Sequence, residues 1–283
     1  MLNTTILGWV TFIYFGSFAF YLFNMVTVRE FWGRLASFTA LIGLLTQTAA
    51  LIIRWIESYH LGIGHAPLSN LYESLIFFSW TIMLLYLIVE WRTKNRSLGA
   101  FVVPFAFLFM AYASLSPDIN NRIQPLVPAL QSNWLTSHVI TCFMGYAAFA
   151  VSCALGFMYL LKGLEGSTGN SSIYVSTFLK FIPPLEVLDE LNYQIVVLGF
   201  VFLTLGIMTG AVWAHYAWGS YWGWDPKETW SLITWFIYAA VLHTRFMRGW
   251  RGRRMAIMAI IGFVSVLFTY LGVNYLPGLH SYL

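Results

Sequence analysis

Eight stretches of this chain, at residues 5–24, 34–57, 70–91, 98–115, 136–162, 194–216, 228–247 and 254–273, read as membrane spans. About 20 apolar residues cross the hydrocarbon as a helix, and lipid offers backbone N–H and C=O groups no partner, so spans of this kind must be helices. The chain is 59% hydrophobic and 9% charged, against roughly 25% charged residues in a soluble domain. The expected fold is therefore all-α and polytopic, one integral membrane domain over residues 1–283 with about eight transmembrane helices and no internal repeat. Segment 98–115 is short and contains Pro104, which makes it the weakest span of the set.

Charge placement orients the chain. Twelve of the fifteen Lys and Arg fall in odd-numbered connections: Arg29 and Arg34; Arg92, Lys94 and Arg96; Lys162 and Lys180; Arg245, Arg248, Arg251, Arg253 and Arg254. Basic loops stay on the cytoplasmic side, which puts both termini and the connections 58–69, 116–135 and 217–227 on the outer face. The connection 163–193, Gly- and Ser-rich, is then the longest cytoplasmic loop, with a short amphipathic piece expected near 173–181. Met1–Trp9 holds no Lys or Arg, unlike the basic start of a cleaved signal peptide, so the first apolar run is expected to be retained. Nothing in this pattern calls for nucleic acid.

The outer connection between the last two apolar pairs is unusual. Trp218-Gly219-Ser220-Tyr221-Trp222-Gly223-Trp224-Asp225-Pro226-Lys227-Glu228 packs three tryptophans and a tyrosine into seven residues. Gly219, Gly223 and Pro226 stop it from continuing a span. Interfacial aromatic belts spread Trp and Tyr over many helix ends, whereas here they crowd into one loop, flanked by Trp213 and Trp230. Such a shelf suits a large, flat, partly polar ligand. Asp225 has two readings, as N-cap of a helix with Pro226 in its first position or as a direct ligand contact.

Six histidines are the natural metal-binding candidates. His60, His65, His138, His215 and His280 fall at or near the outer face. His243 lies fifteen residues beyond Glu228, roughly 20 Å down a helix at 1.5 Å per residue, inside the bilayer toward the cytoplasmic end. An ionisable residue at that depth is either functional or hydrogen-bonded between helices. His60 and His215 carry no further support. Cys142 and Cys153 stand eleven residues apart on one span, about 16 Å by helical rise, too far for a disulfide. No C-x-x-C-H is present, so covalent haem attachment to this chain is not expected.

The loop matches W-G-x-x-W-x-W-D. With Gly64-His65-Ala66-Pro67-Leu68-Ser69-Asn70-Leu71-Tyr72-Glu73-Ser74, the run through His243-Thr244-Arg245, and Leu276-Pro277-Gly278-Leu279-His280-Ser281, the chain resembles the CcsA-type cytochrome c biogenesis family, the WWD-domain haem-handling proteins of System II. The resemblance covers nearly the whole length. It implies that His138 and His280 ligate haem iron beside Trp218, Tyr221, Trp222, Trp224 and Asp225, and that His243 belongs to a second, intramembrane haem site. The second ligand there would come from a CcsB- or ResB-type membrane partner. His65 falls in a family motif without an assigned role.

The residue chemistry is consistent with that implication. Haem b is an apolar disc with two carboxylates. Trp rings suit the disc; indole N–H, Tyr O–H, Lys227 or the free N–H groups at the start of the seventh helix suit the carboxylates; neutral imidazoles suit the iron. The implied function is presentation of reduced haem to the C-x-x-C-H thiols of apocytochrome c, as part of a haem lyase complex, with thiol-reducing proteins acting indirectly. The membrane would be a bacterial plasma membrane, or a thylakoid in a photosynthetic source. Two rivals are a membrane b-type cytochrome and a haem transporter or exporter without attachment activity. The first would want two deep histidines on facing helices, and this chain has one, His243; a transporter or channel with no lasting haem, gated by the aromatic loop, would want polar residues along several spans, and only Gln47, Arg54, Glu57 and His243 stand out, whereas haem transport itself stays compatible with the main reading.

Overall fold

The computed structural model describes residues 2–127, 130–165 and 179–276. Among these residues are eight α-helices of 17 residues or more and no strand. They are α1 (Leu2–Thr27), α2 (Glu30–His60), α3 (Leu71–Thr93), α4 (Gly99–Leu115), α5 (Asn133–Lys162), α6 (Leu185–Trp218), α7 (Pro226–Arg248) and α8 (Arg253–Tyr270), followed by a 3-10 turn, Gly272–Tyr275. Each falls on one of the apolar stretches of the sequence. Six of the helical stretches, α1, α2, α3, α5, α6 and Arg253–Tyr275, are long and apolar enough to cross a membrane, and the protein is a multi-pass membrane protein. Helix α4 is short, and α7, though 23 residues long, carries Lys227, Glu228, His243, Arg245 and Arg248.

One boundary departs from expectation. Helix α6 begins at Leu185, nine residues before the apolar stretch that starts at 194. Glu186, Asp189 and Glu190 gave these residues the polarity of a loop, yet acids favour the N-terminal end of a helix dipole. Asp189 has a further role: its carboxylate accepts from Arg245 Nη1 at 2.5 Å and from Gly252 N at 2.7 Å. The loop expected over 163–193 is accordingly shorter. Residues 166–178, including most of the amphipathic piece expected at 173–181, lie outside the described residues.

The chain divides into two compact units, Met1–Gln124 with Phe157–Leu188, and Pro125–Gly156 with Asp189–Leu283. In the first, α1 packs on α2 and α4, and α3 on α4. Polar groups tie these helices at three levels. Midway, Tyr14 donates to Gln47 Oε1 at 2.5 Å, and Gln47 Nε2 donates to the Ile76 carbonyl at 3.0 Å. Near the end of α3, Glu90 accepts from the hydroxyls of Tyr21, Tyr86 and Ser37. At its start, Asn70 caps the helix by accepting from Glu73 N at 2.9 Å, and Glu73 pairs with Arg54. Apolar residues such as Phe12, Phe15, Phe38 and Leu45 face outward, as lipid-facing surfaces require.

In the second unit α5 lies directly against α6. A Cβ at Gly145 would sit 3.0 Å from Leu203 N and 3.1 Å from the Gly199 carbonyl, so the backbones touch where a side chain would separate them, a packing mode common in membranes. Helix α7 joins α5 through Phe149 stacked on Tyr238 at 3.5 Å and 9°, and α8 through a buried Thr234–Thr269 hydroxyl pair at 2.9 Å.

Candidate functional site

The Trp-rich connection lies within the second unit, and its fold follows from a few residues. Gly219 at φ 79° ends α6, its N–H bonding the His215 carbonyl at 2.9 Å; a left-handed residue here is the usual helix stop. Ala217, Trp218, Pro226 and Lys227 are therefore helical, and the loop proper is 219–225, shorter than the 217–227 connection read from the sequence. At its far end Asp225 caps α7, accepting from Lys227 N at 2.9 Å, while Glu228 accepts from Asp225 N at 3.3 Å and Gly223 N at 2.7 Å. This capping box turns both acids onto backbone and leaves the rings outside.

The rings of this region pair with one another. Tyr221 stacks on His215 at 4.3 Å and 6°, and Trp222 meets Trp224 edge to face at 5.8 Å. Trp224 is 70% exposed and sits at φ 57°, a conformation that costs a non-glycine residue about 1–3 kcal/mol and tends to mark functional sites. Trp222 Nε1 is buried with no hydrogen-bond partner among the described residues, an orphan donor inside the loop. Trp218 packs edge to face on Trp213 at 4.8 Å.

Trp213 brings in the first sequence-predicted ligand. Its ring lies parallel to that of His138, 5.9 Å away at 15°. His138 Nδ1 is 2.7 Å from the Gly206 carbonyl oxygen. A carbonyl only accepts, so Nδ1 carries the proton and the neutral ring keeps its lone pair on Nε2, the arrangement that metal-ligating histidines use. Cys142 Sγ is 3.6 Å from the same Nδ1. Nearby, Lys227 Nζ donates to Asn274 Oδ1 at 3.1 Å, and Asn274 Nδ2 donates to the Tyr270 carbonyl at 3.0 Å. Lys227 precedes the apolar part of α7; burial holds its ammonium below the ordinary lysine range, against the opposing pull of Asp225 and Cys142. Among the described residues it has no salt-bridge partner.

The remaining candidates are dispersed. His243 is exposed on α7, on one face with Ile233, Phe236 and Met247, which are 37%, 58% and 73% exposed. From the capping box it lies roughly 25 Å along the helix. His280 falls outside the described residues. His65 belongs to the first unit and is buried; its Nδ1 lies 2.8 Å from the Ala66 carbonyl and its Nε2 3.0 Å from that of Gln124, and Ser58 bridges its backbone. Neither ring nitrogen points outward. His215, which the sequence singled out for nothing, is part of the aromatic cluster; only the fold of the loop brings Tyr221 onto it. No cluster of three or more His, Cys, Asp or Glu suited to a metal ion occurs among the described residues, and both cysteines are free.

Residues 68–280 match the Cytochrome C assembly protein family. Among similar relatives, the cytochrome c biogenesis protein CcsA of Pyropia yezoensis is 41% identical over 282 residues, 88% of this chain and 87% of the relative. That of Gloeobacter violaceus is 41% identical over 289 residues (85% and 84%), and that of Prochlorococcus marinus 42% over 297 residues (94% and 92%). The solved structure of Cytochrome c Heme Lyase CcmF superposes with a TM-score of 0.64 at 17% identity, over 95% of this chain and 46% of that one, which is a likeness of fold. This chain belongs to the cytochrome c assembly protein family.

Proposed function

We propose that this chain works in cytochrome c biogenesis by holding haem b at the outer membrane face and presenting it to apocytochrome c. The observation that carries the reading is the state of His138: its Nδ1 proton is fixed on the Gly206 carbonyl and its ring lies against Trp213, beside the Trp-rich loop. That leaves an imidazole Nε2 lone pair next to an aromatic surface with an orphan indole donor at Trp222. Haem fits such a set. Bound there, it would supply the iron and the two vinyl groups that react.

The chain's own residues bind and orient. His138 and His280 would hold the haem iron through ring nitrogens. Trp218, Tyr221, Trp222 and Trp224 would cover the haem ring, and Asp225 holds the loop to α7. When a cysteine thiol of apocytochrome adds to a vinyl group, the S–H bond breaks, a C–S bond forms and the proton ends on the neighbouring vinyl carbon, with no net oxidation. Two-histidine ligation and orientation are the protein's contribution.

Exposure of His243 on an apolar face of α7 favours a second site completed from outside the chain, by a histidine on a CcsB- or ResB-type membrane partner. This arrangement has all eight helices crossing, α4 and α7 included, with both termini and the 219–225 loop outside. The plasma membrane of a bacterium or a thylakoid membrane would be the location. Co-expression of the chain and its partner with a c-type apocytochrome, in a bacterial host lacking its own attachment machinery, tests the function. Covalently haem-stained cytochrome is expected with the wild type and is lost with His138→Ala or His243→Ala. Unimpaired attachment in both variants overturns the ligand roles of His138 and His243, and no attachment with the wild-type chain and its partner overturns the attachment reading and leaves haem export without attachment as the better account.

A further inference from the structure

Gly206 and Gly210 stand one turn apart on α6, facing His138 on α5. In a helix the carbonyl of residue i points toward residue i+4, so the side chain at 210 would flank the Gly206 oxygen. Residue 210 has none: a Cβ there would lie 2.6 Å from His138 Nδ1 and 2.7 Å from Cε1, closer than any real contact. The imidazole occupies that space, and its Nδ1 reaches the Gly206 oxygen at 2.7 Å. Thr209 Oγ1 donates to the Leu205 carbonyl at 2.7 Å and passes the Gly206 oxygen only at 3.1 Å, so the ring is that oxygen's principal side-chain donor.

We propose that Gly210 is a positioning residue for haem ligation: by lacking a side chain it opens the Gly206 carbonyl to His138, fixing both the ring's orientation and the nitrogen, Nε2, offered to iron. This rests on His138 being a haem ligand. A hydrogen bond from the far nitrogen of a ligating histidine raises its basicity; a more basic ligand favours ferric iron and lowers the reduction potential. The Gly206 carbonyl thereby sets how easily the bound haem is kept reduced, which is the form whose vinyl groups are to be attached.

The test uses the complex of this chain with its membrane partner, purified in mild detergent, and compares Gly210→Ala, Thr209→Val and His138→Ala. Gly210→Ala is expected to weaken or shift the reduced haem spectrum as His138→Ala does, with free imidazole restoring it in part, which a merely misfolded helix would not allow. Thr209→Val keeps the side-chain shape, leaves residue 210 bare and serves as the neighbouring control. It should retain haem with the wild-type spectrum and midpoint potential. If His138→Ala alters the spectrum while Gly210→Ala leaves spectrum and potential at wild-type values, or Thr209→Val disturbs them as much as Gly210→Ala does, the positioning role is wrong and the ligand assignment stands. If His138→Ala itself changes nothing, the ligand assignment fails and the positioning role with it.

Discussion

Arg54 and Glu73 meet at 2.8 Å with both side chains almost fully buried, joining α2 to the first turn of α3. Glu73 also accepts from Ser69 N and Ser69 Oγ, each at 2.8 Å, and Arg54 Nη1 donates to the Asn121 carbonyl at 3.0 Å. The Ser69-Asn70-Leu71-Tyr72-Glu73 segment is thus a packing device of the first unit: serine and glutamate fasten the turn, asparagine caps the helix, and the Tyr72 ring lies 5.2 Å from the guanidinium. Removing one partner of a buried pair costs about 3–5 kcal/mol because the other is left charged and unpaired. Glu73→Ala is expected to lower the thermal unfolding temperature of the detergent-solubilised protein sharply, followed by helical circular dichroism. The double change Arg54→Met with Glu73→Leu should recover much of the loss.

His65 is expected to behave as a structural residue. Both its ring nitrogens lie against carbonyl oxygens, so His65→Ala should reduce stability and leave the haem absorption of the surviving protein unchanged. Added imidazole should do nothing for it. A changed haem spectrum that imidazole restores would show that the ring is a ligand after all.

Asp225 separates its two readings by a pair of substitutions. Asparagine caps a helix as well as aspartate, whereas alanine costs about 1 kcal/mol, within a range of 0.5–2. Asp225→Asn should therefore match the wild type in unfolding temperature and haem content, and Asp225→Ala should be less stable. Haem loss in Asp225→Asn at unchanged stability would assign the carboxylate to the ligand instead.

Lys227 is predicted to trade stability for function. Burial favours its neutral amine, so its folded pKa lies below the unfolded value. Between the two the unfolded chain binds more protons, and stability rises with pH through that alkaline window. Lys227→Met should remove this rise and cost little stability at neutral pH, while lowering haem retention if the ammonium meets a haem carboxylate. Lys227→Arg should retain haem better than Lys227→Met. Both readouts, unfolding temperature against pH and haem per protein, come from one preparation.

The eight helices were legible because twenty-residue apolar runs leave a membrane chain few alternatives, and the α7 cap because Asp-Pro-Lys-Glu spells one. The start of α6 was not legible: Glu186, Asp189 and Glu190 look like loop residues until Arg245 and Gly252 are brought to Asp189 by folding. His138 could be picked out by resemblance, but its tautomer could not, since it depends on a backbone oxygen of another helix. The same holds for His215, whose partner Tyr221 arrives only when Gly219 turns the chain back. His65 shows the converse: a histidine within a shared motif whose role is set by two carbonyls that no residue pattern encodes.

The most direct test of haem ligation is the reduced absorption spectrum of the purified complex, wild type against His138→Ala. A low-spin bis-histidine spectrum in the wild type, lost or shifted in His138→Ala and partly restored by imidazole, is predicted. A complex without haem, or a spectrum indifferent to the substitution, contradicts it.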